Sequence, residues 1–561
     1  MIVSILSYAQ TFREEHKPDK VFAKYCLRYH NYYDGLNEFE GLLKLHSKDD
    51  YYRWGVGYCH LQLNIDKSKA IPYFEAIINK DDADPSVYYD LGDAYLQTNN
   101  LEKAEEAFLN YIKSGIKDEH LISAKRQLQM INNAKQAFNN PIKVKITNAG
   151  VKVNTEFPDF SPYINSTEKF MIFSRQASTN AGRYRHEDGY YTSDVYYTNF
   201  KFGKWSKVRS FSSVINSPAI EKNGYLSKNA SYLYVYKEDL MGKQKKHIIY
   251  NKRGRSYAYP IELKIDGMNM QDIKSLSISN DGKWIVFSAP SKSNNRENLD
   301  LYYCRLKSNG FWGDPTAFDS TVNTIYNESF PYFTPNKNTF VFASQGHNSI
   351  GGYDLFTSNI IADSSLHISN ITNIGYPVNT CMDDKTISFA ANNRYAYISG
   401  LRDGGHGDLD IYRVVFEEEA ALMTVIHGNV FNQNEFSMMD ILKAENDHID
   451  TLNFPINKKY KRLLHRSKDS TVAQEYLKNN LIPYNKLDIN INVIDKNNNK
   501  AVGNFIVKER DASYSIILNP GEYRITFSRK GYGKAVFDNI IIEDFNLRNR
   551  NMEMNVLLEN I

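Results

Sequence analysis

Ser279-Asn280-Asp281-Gly282-Lys283-Trp284-Ile285-Val286-Phe287-Ser288 reads as a tight turn running into a short apolar strand that ends on a hydroxyl. Asn, Asp and Gly accept the backbone angles of a turn, and the aromatic and β-branched residues behind them favour a pleated, half-buried surface. The strand recurs as Phe170-Met171-Ile172-Phe173-Ser174, Phe340-Val341-Phe342-Ala343-Ser344 and Tyr395-Ala396-Tyr397-Ile398-Ser399. Ser288, Ser344 and Ser399 stand 56 and 55 residues apart, and Ser174 precedes Ser288 by 114, which is two periods. The copy between them is Tyr232-Leu233-Tyr234-Val235-Tyr236.

An acidic-apolar-aromatic triplet follows four of the five strands: Asp194-Val195-Tyr196, Asp300-Leu301-Tyr302, Asp354-Leu355-Phe356 and Asp410-Ile411-Tyr412. The remaining copy has His247-Ile248-Ile249-Tyr250 in that place. Five strand-turn-strand units at this period predict a five-bladed β-propeller over residues 140–417. A residue repeated around a ring is expected to serve each blade's own hydrogen bonds, which is the role expected of Asp194, Asp300, Asp354 and Asp410. Val214-Ile215-Asn216-Ser217, Val322-Asn323-Thr324 and Val378-Asn379-Thr380 mark blade junctions, and Val144, Ile146, Val151 or Val153 is expected in a strand that closes the ring.

N-terminal to the blades the period shortens. Ala23 precedes Gly57 by 34 residues and Gly92 follows it by 35. The last copy reads Tyr88-x-x-Leu91-Gly92-x-x-Tyr95, then Ala104, Phe108 and Tyr111; the one before it has Gly57, His60, Ala70, Phe74 and Ile77. Gly57, Gly92, Ala70 and Ala104 are small enough for two antiparallel helices to approach closely, and Phe39, Phe74 and Phe108 are expected to fill the gap to the next pair. These spacings resemble the tetratricopeptide repeat and predict helical repeats over 11–138, capped by a helix from Leu121 to Phe138. A peptide- or protein-binding groove and a rigid spacer fit this pattern equally well.

Beyond Phe416 the pattern changes to a smaller β unit over 423–561, with a partly helical insertion at 434–484. Ile489, Ile491 and Val493 alternate, and Tyr514-Ser515-Ile516-Ile517-Leu518 leads through Asn519-Pro520-Gly521 into Tyr523-Arg524-Ile525-Thr526-Phe527. Leu518 to Tyr532 resembles the carboxypeptidase regulatory-like fold, a transthyretin-like β-sandwich without peptidase chemistry. The fold class is therefore multi-domain α + β: helical repeats, propeller, sandwich.

The propeller repeat looks like the WD-like repeat of TolB-type periplasmic proteins, and the order of the three parts resembles a periplasmic, outer-membrane-associated family of Bacteroidota. Asn327-Glu328-Ser329-Phe330-Pro331, Gly351-Gly352-Tyr353-Asp354-Leu355-Phe356 and Gly407-Asp408-Leu409-Asp410-Ile411-Tyr412 carry the resemblance. It implies a non-catalytic adaptor linked to type IX secretion or gliding, with proteins of the outer membrane or secretion machinery as partners. The family usually continues into an OmpA-like domain that grips peptidoglycan; the chain ends at Ile561 after the sandwich, so direct peptidoglycan binding is not expected. Ile2, Val3, Ile5 and Leu6 followed by Ser7-Tyr8-Ala9 read as the tail of an export signal over 1–10, whose true start would lie upstream.

Composition is bland where partners are concerned. Apolar residues make up 42%, charged residues 24% and the net charge is +3, so no polyanion is called for and nucleic acid is not an expected partner. No run of about 18 apolar residues exists to span a bilayer. The cysteines Cys26, Cys59, Cys304 and Cys381 match no zinc or redox spacing and read as buried thiols. No Gly-x-Ser-x-Gly elbow is present, and no cofactor or catalytic residue is expected. Gly404 to Asp410 is similar to a calcium-binding nonapeptide, with Asp403, Asp408 and Asp410 as its only candidate ligands; a glycine-rich loop between two strands explains it better. The lysines and arginines around His247 to Tyr250, and those of Lys458 to Lys468, read as solvated faces. A propeller that binds carbohydrate or peptide, with or without hydrolase activity, stands as the alternative to the adaptor.

Overall fold

The structure is a computed structural model that describes residues 17–201, 204–254, 256–292, 298–335, 338–390, 393–417, 424–432, 489–507, 513–542 and 551–558. The export-signal tail, the insertion at 434–484 and the basic run at 458–468 lie outside the described residues. The chain divides into two compact units, residues 1–419 and 420–561.

Among the described residues seven α-helices open the first unit: α1 (Lys20–Arg28), α2 (Tyr32–Leu45), α3 (Asp50–Gln62), α4 (Ile71–Ile78), α5 (Val87–Gln97), α6 (Leu101–Lys113) and α7 (His120–Asn139). The side chains of Asp19, Asn31, Asp49 and Asn100 accept the free amides at the starts of α1, α2, α3 and α6. His30 and Asn99, at φ of 58° and 62°, make the tight turns into α2 and α6. The small residues stand where helices meet: a Cβ on Gly57 would lie 2.8 Å from the Phe74 ring and one on Gly92 2.9 Å from Phe108. Ala70 and Ala104 are fully buried. Phe74 and Phe108 press on the glycine of their own helix pair and lie in one apolar core with the helices that follow, and Phe39 presses on Gly55 of the next pair.

Five antiparallel sheets follow as the blades of a β-propeller. Their first strands are Asp159–Ile164, Ile220–Leu226, Ser275–Ile278, Glu328–Phe333 and Ile387–Phe389. The second strands, Phe170–Gln176, Tyr232–Glu238, Trp284–Pro290, Thr339–Ser344 and Tyr395–Gly400, are the apolar runs of the sequence period. Val144–Asn148 closes the ring by pairing antiparallel with Asp410–Phe416, Val144 opposite Phe416. Val144 and Ile146 thus lie in the closing strand, whereas Val151 and Val153 belong to the turn after it.

Three of the recurrent hydroxyls of the second strands stitch blade to blade, while that of Ser344 donates to Glu328 of its own blade. Ser174 Oγ accepts the Asn223 amide of the next blade at 2.9 Å, Ser288 Oγ lies 2.9 Å from Ser329 Oγ, and Ser399 Oγ accepts the Ser161 amide at 3.3 Å. A strand buried on both faces reads as an unbroken apolar run, and its last residue must satisfy a neighbouring backbone group.

Among its described residues the second unit has two sheets around one apolar core. Thr424–Asn432 pairs antiparallel with Ser513–Leu518 and parallel with Asn551–Glu553 and Val556–Leu558. The other sheet runs Lys500–Ile506, Asn490–Asp495, Gly521–Ser528, Ala535–Ile542. Ile491, Val493, Ile516, Ile525 and Phe527 fill the core by period-two alternation.

Candidate functional site

Each blade junction is built by a short motif. Asn154, Asn216, Asn323 and Asn379 each lay their side-chain amide against a third-strand residue, accepting its N–H and donating to its carbonyl: Ile411, Val195, Leu301 and Leu355 respectively. The next residue, Thr155, Ser217, Thr324 or Thr380, donates its hydroxyl to a carboxylate four positions on: Asp159, Glu221, Glu328 or Asp384. Those carboxylates are almost wholly buried. Arg175 pairs with Asp159 at 2.6 Å, Lys237 with Glu221 at 3.3 Å and Arg402 with Asp384 at 3.1 Å. Glu328 has no cation within 4.0 Å among the described residues, and burial pushes its carboxyl up to about 7.

The four aspartates singled out in the sequence sit at the starts of third strands. Asp194, Asp354 and Asp410 each accept one backbone N–H on Oδ2, from Ala181, Ile350 and His406, while Oδ1 is buried without a partner among the described residues. Burial raises Asp194 to about 6 and Asp354 well above the carboxylate range. Asp300 accepts the Ser291 and Asn298 side chains at 2.5 and 3.0 Å, and Asp354 and Asp410 also accept Asn373 Nδ2 and Asn148 Nδ2 at 2.7 and 2.8 Å. The loop considered for calcium has another use. Asp408 Oδ2 accepts Tyr33 Oη at 3.0 Å and Tyr190 Oη at 3.1 Å, and its Oδ1 accepts Asn64 Nδ2 at 3.0 Å, while Asp403 is exposed.

Tyr33 and Asn64 belong to the helical repeats, so this loop is part of a joint between repeats and propeller. Asp34 pairs with Arg185 at 2.9 Å. At the other end of the stack, Arg126 donates to Gln345 O at 2.8 Å and Ser349 Oγ at 3.0 Å, with its guanidinium 4.5 Å from the Tyr326 ring centroid. Asn133 donates to Ser349 O, and the Phe138 and Tyr376 rings lie 4.2 Å apart. Ile350 and Cys381 of the propeller enter the apolar core of the helices. Shared core and buried polar contacts make the two parts one block.

Between the two joints lies a chamber of about 810 Å³ that is partly open to solvent. Its helical wall is Leu61, Gln62, Asn64, Lys67, Asp93, Leu96, Gln97 and Gln127; its propeller wall carries Phe160, Tyr234, Tyr236 and Phe330 together with Lys222, Lys245, Lys274 and Lys385. Lys67 Nζ is buried and donates to Leu61 O and Leu63 O, at 2.7 and 2.6 Å, at the C-terminal end of α3; burial lowers its pKa to about 8. Lys385 pairs with Asp383 at 2.7 Å and Lys245 with Glu238 at 3.8 Å. Lys222 and Lys274 are open to solvent and have no carboxylate within 4.0 Å among the described residues. Neighbouring protein lowers the Lys222 pKa; Glu238 and Asp188 pull it up, and Lys245 and Lys385 push it down. The sequence period relates Lys222 to Lys385, each one residue after its junction acid, but it does not bring together side chains from separate blades and separate helices.

A tetratricopeptide-repeat family model matches residues 68–128. Among curated proteins none matches the chain in sequence. Solved structures similar to it include the hydrazine synthase of Kuenenia stuttgartiensis, at 11% identity and TM-score 0.27 over 47% of this chain and 89% of that one. An α-L-arabinofuranosidase from Lactobacillus brevis has 11% identity and TM-score 0.28 over 49% and 93%. The β-propeller domain of the Trilobed protease from Pyrococcus furiosus has 9% identity and TM-score 0.26 over 47% and 84%. Hydrolases are thus among the proteins it is similar to, at scores that carry no argument about activity.

Proposed function

We propose that this protein is a non-catalytic adaptor that acts by protein–protein interaction, on the periplasmic side of the outer membrane and in the service of a secretion or gliding assembly. The location and the assembly rest on the resemblance of its domain order, which also reads the C-terminal unit as a carboxypeptidase regulatory-like, transthyretin-like sandwich. The observation that carries the non-catalytic reading is the use made of the propeller's acids. Asp159, Glu221, Glu328 and Asp384 each take a hydroxyl of their own junction, and Asp194, Asp354 and Asp410 each take a backbone N–H of their own blade. A carboxylate repeated around the ring and held by its own blade is a structural tie, whereas a general acid or base is placed once and aimed at a reacting group.

The repeats suit the adaptor role because they are fixed to the propeller as one rigid surface. Partner capture then costs little ordering. Affinity purification of tagged full-length protein from native envelopes tests the reading: outer-membrane or secretion proteins co-purify, and Asp194→Asn, Asp354→Asn and Asp410→Asn variants that fold retain them. One such variant that keeps its fold and partners yet loses cellular activity would overturn it in favour of an enzyme. A second reading, a propeller that binds carbohydrate or peptide, draws on the chamber.

A further inference from the structure

The chamber has the size of a small-molecule site, since pockets for such ligands run from about 300 to 1,000 Å³. Its walls differ in chemistry. On the propeller side Lys222 and Lys274 face the cavity without an ion pair among the described residues, and aromatic side chains stand beside them. Lys222 and Lys385 occupy the same place in their blades, each directly following the buried carboxylate of its junction, Glu221 and Asp384. Backbone register therefore aims both into the cavity. The helical side offers neutral amides, Gln62, Asn64, Gln97 and Gln127, and the Oε1 of Gln127 is buried without a partner among the described residues. Asp93, the acid on that wall, accepts a hydrogen bond from Gln97 Nε2 at 3.2 Å, and burial raises its pKa.

Five lysines of the lining, Lys67, Lys222, Lys245, Lys274 and Lys385, outnumber the three carboxylates Asp93, Glu238 and Asp383, and a surplus of cations in one cleft favours an anion among them. The donors here are single ammonium groups, which hold an anion as point charges; the planar fork that suits phosphate belongs to arginine, and the named cations of the cavity are all lysines. Amides opposite the lysines satisfy hydroxyls in either sense, as donor or acceptor. Aromatic faces pack on the C–H face of a compact ring.

We propose that the chamber between repeats and propeller binds a small polyhydroxylated carboxylate of sugar-acid size, its carboxylate toward Lys222 and Lys274 and its hydroxyls toward Gln62, Gln97 and Gln127. This rests on the second reading, that the cavity takes a ligand, and stands apart from the adaptor reading, which concerns outer surfaces. The occupied chamber would brace the helices against the blades, so ligand and joint stabilise each other.

Isothermal titration of the full chain with D-galacturonate, D-glucuronate and D-gluconate tests it, with D-galactose, inorganic phosphate and glycylglycine as comparisons, each up to about 10 mM. At least one sugar acid binds, galactose binds at least about tenfold more weakly, and affinity falls as salt is raised. Lys222→Met and Lys274→Met each weaken the sugar acid by about tenfold or more, while Lys246→Met, on the outer part of its blade, does not. Thermal melts without ligand establish that each variant folds. Absence of binding by all three sugar acids, equal binding of galactose, tighter binding of phosphate or glycylglycine, or affinity indifferent to Lys222 and Lys274 overturns the proposal. Loss of envelope partners with ligand binding intact would count against the adaptor alone.

Discussion

Tyr33 and Asp408, 375 residues apart in the chain, meet through a 3.0 Å hydrogen bond from the phenol to the carboxylate. Tyr190 and Asn64 donate to the same carboxylate, so one side chain gathers two propeller loops and two turns of the helical stack. Asp408→Ala leaves three buried or half-buried donors without their acceptor. We expect a loss of about 1–3 kcal/mol, together with faster amide exchange in α2 and α3 and an unaltered propeller. Uniform exchange across both parts would show that the joint does not depend on this residue.

Gly92 and Phe108 define a contact that admits no side chain, the ring being 2.9 Å from where a Cβ would stand. Gly92→Leu should therefore destabilise by about 1–3 kcal/mol in spite of leucine's better helix propensity. Phe108→Ala should cost about 3–5 kcal/mol by leaving a cavity. In the double variant the leucine enters that cavity, and the combined loss is smaller than the sum. Strict additivity in chemical denaturation would separate the two sites.

Glu328 differs from the other junction acids in lacking a cation among the described residues, and burial raises its pKa to about 7. A carboxyl whose folded pKa lies above its unfolded value, about 4.3, supports the fold most fully below the unfolded pKa. That support disappears as pH rises through the folded pKa. Thermal melts should accordingly show Glu328→Gln lowering Tm more at pH 5 than at pH 8. A penalty that grows toward pH 8 would mean the native acid is held ionised.

The junction asparagines should behave as a set. Asn379→Ala removes the acceptor of the buried Leu355 amide, a 2.9 Å bond, and should cost about 1–3 kcal/mol. Asn154→Ala, Asn216→Ala and Asn323→Ala remove the same bond from Ile411, Val195 and Leu301 and should cost similar amounts. One of the four falling far outside that range would break the equivalence of the blades.

Elements that repeat within a short window are legible in the sequence, and contacts that join distant windows are not. The second strands announce themselves because both faces are buried, giving runs such as Phe340 to Ala343. The glycines of the helices are legible for the same reason: Gly57 and Gly92 recur with their phenylalanines close behind. Val153-Asn154-Thr155 is a fourth junction that reads first as a strand, because it precedes the first blade where no period yet exists. Its signal is the acid four residues after the hydroxyl, shared by Thr155, Ser217, Thr324 and Thr380. The third blade carries no such pair, having Met268 to Lys274 before its first strand. Nothing local joins Tyr33 to Asp408 or Lys222 to Gln127, so joint and chamber emerge only with the packed chain.

The strand that completes the ring, Val144–Asn148, is made before any blade, and its partner Asp410–Phe416 comes after nearly all of them. Once folding begins, the helices find their partners within a few dozen residues and can consolidate at once. Five sheets must then accumulate with one seam open before Val144 meets Phe416, a loop closure spanning about 270 residues that belongs to the slow, late class of contacts. Tyr33 likewise meets Asp408 only when the residues just ahead of the partner strand Asp410–Phe416 are in place. The Asp408 side of the joint is thus completed together with the seam, whereas the partners of Arg126, Gln345 and Ser349, are already present in an earlier blade.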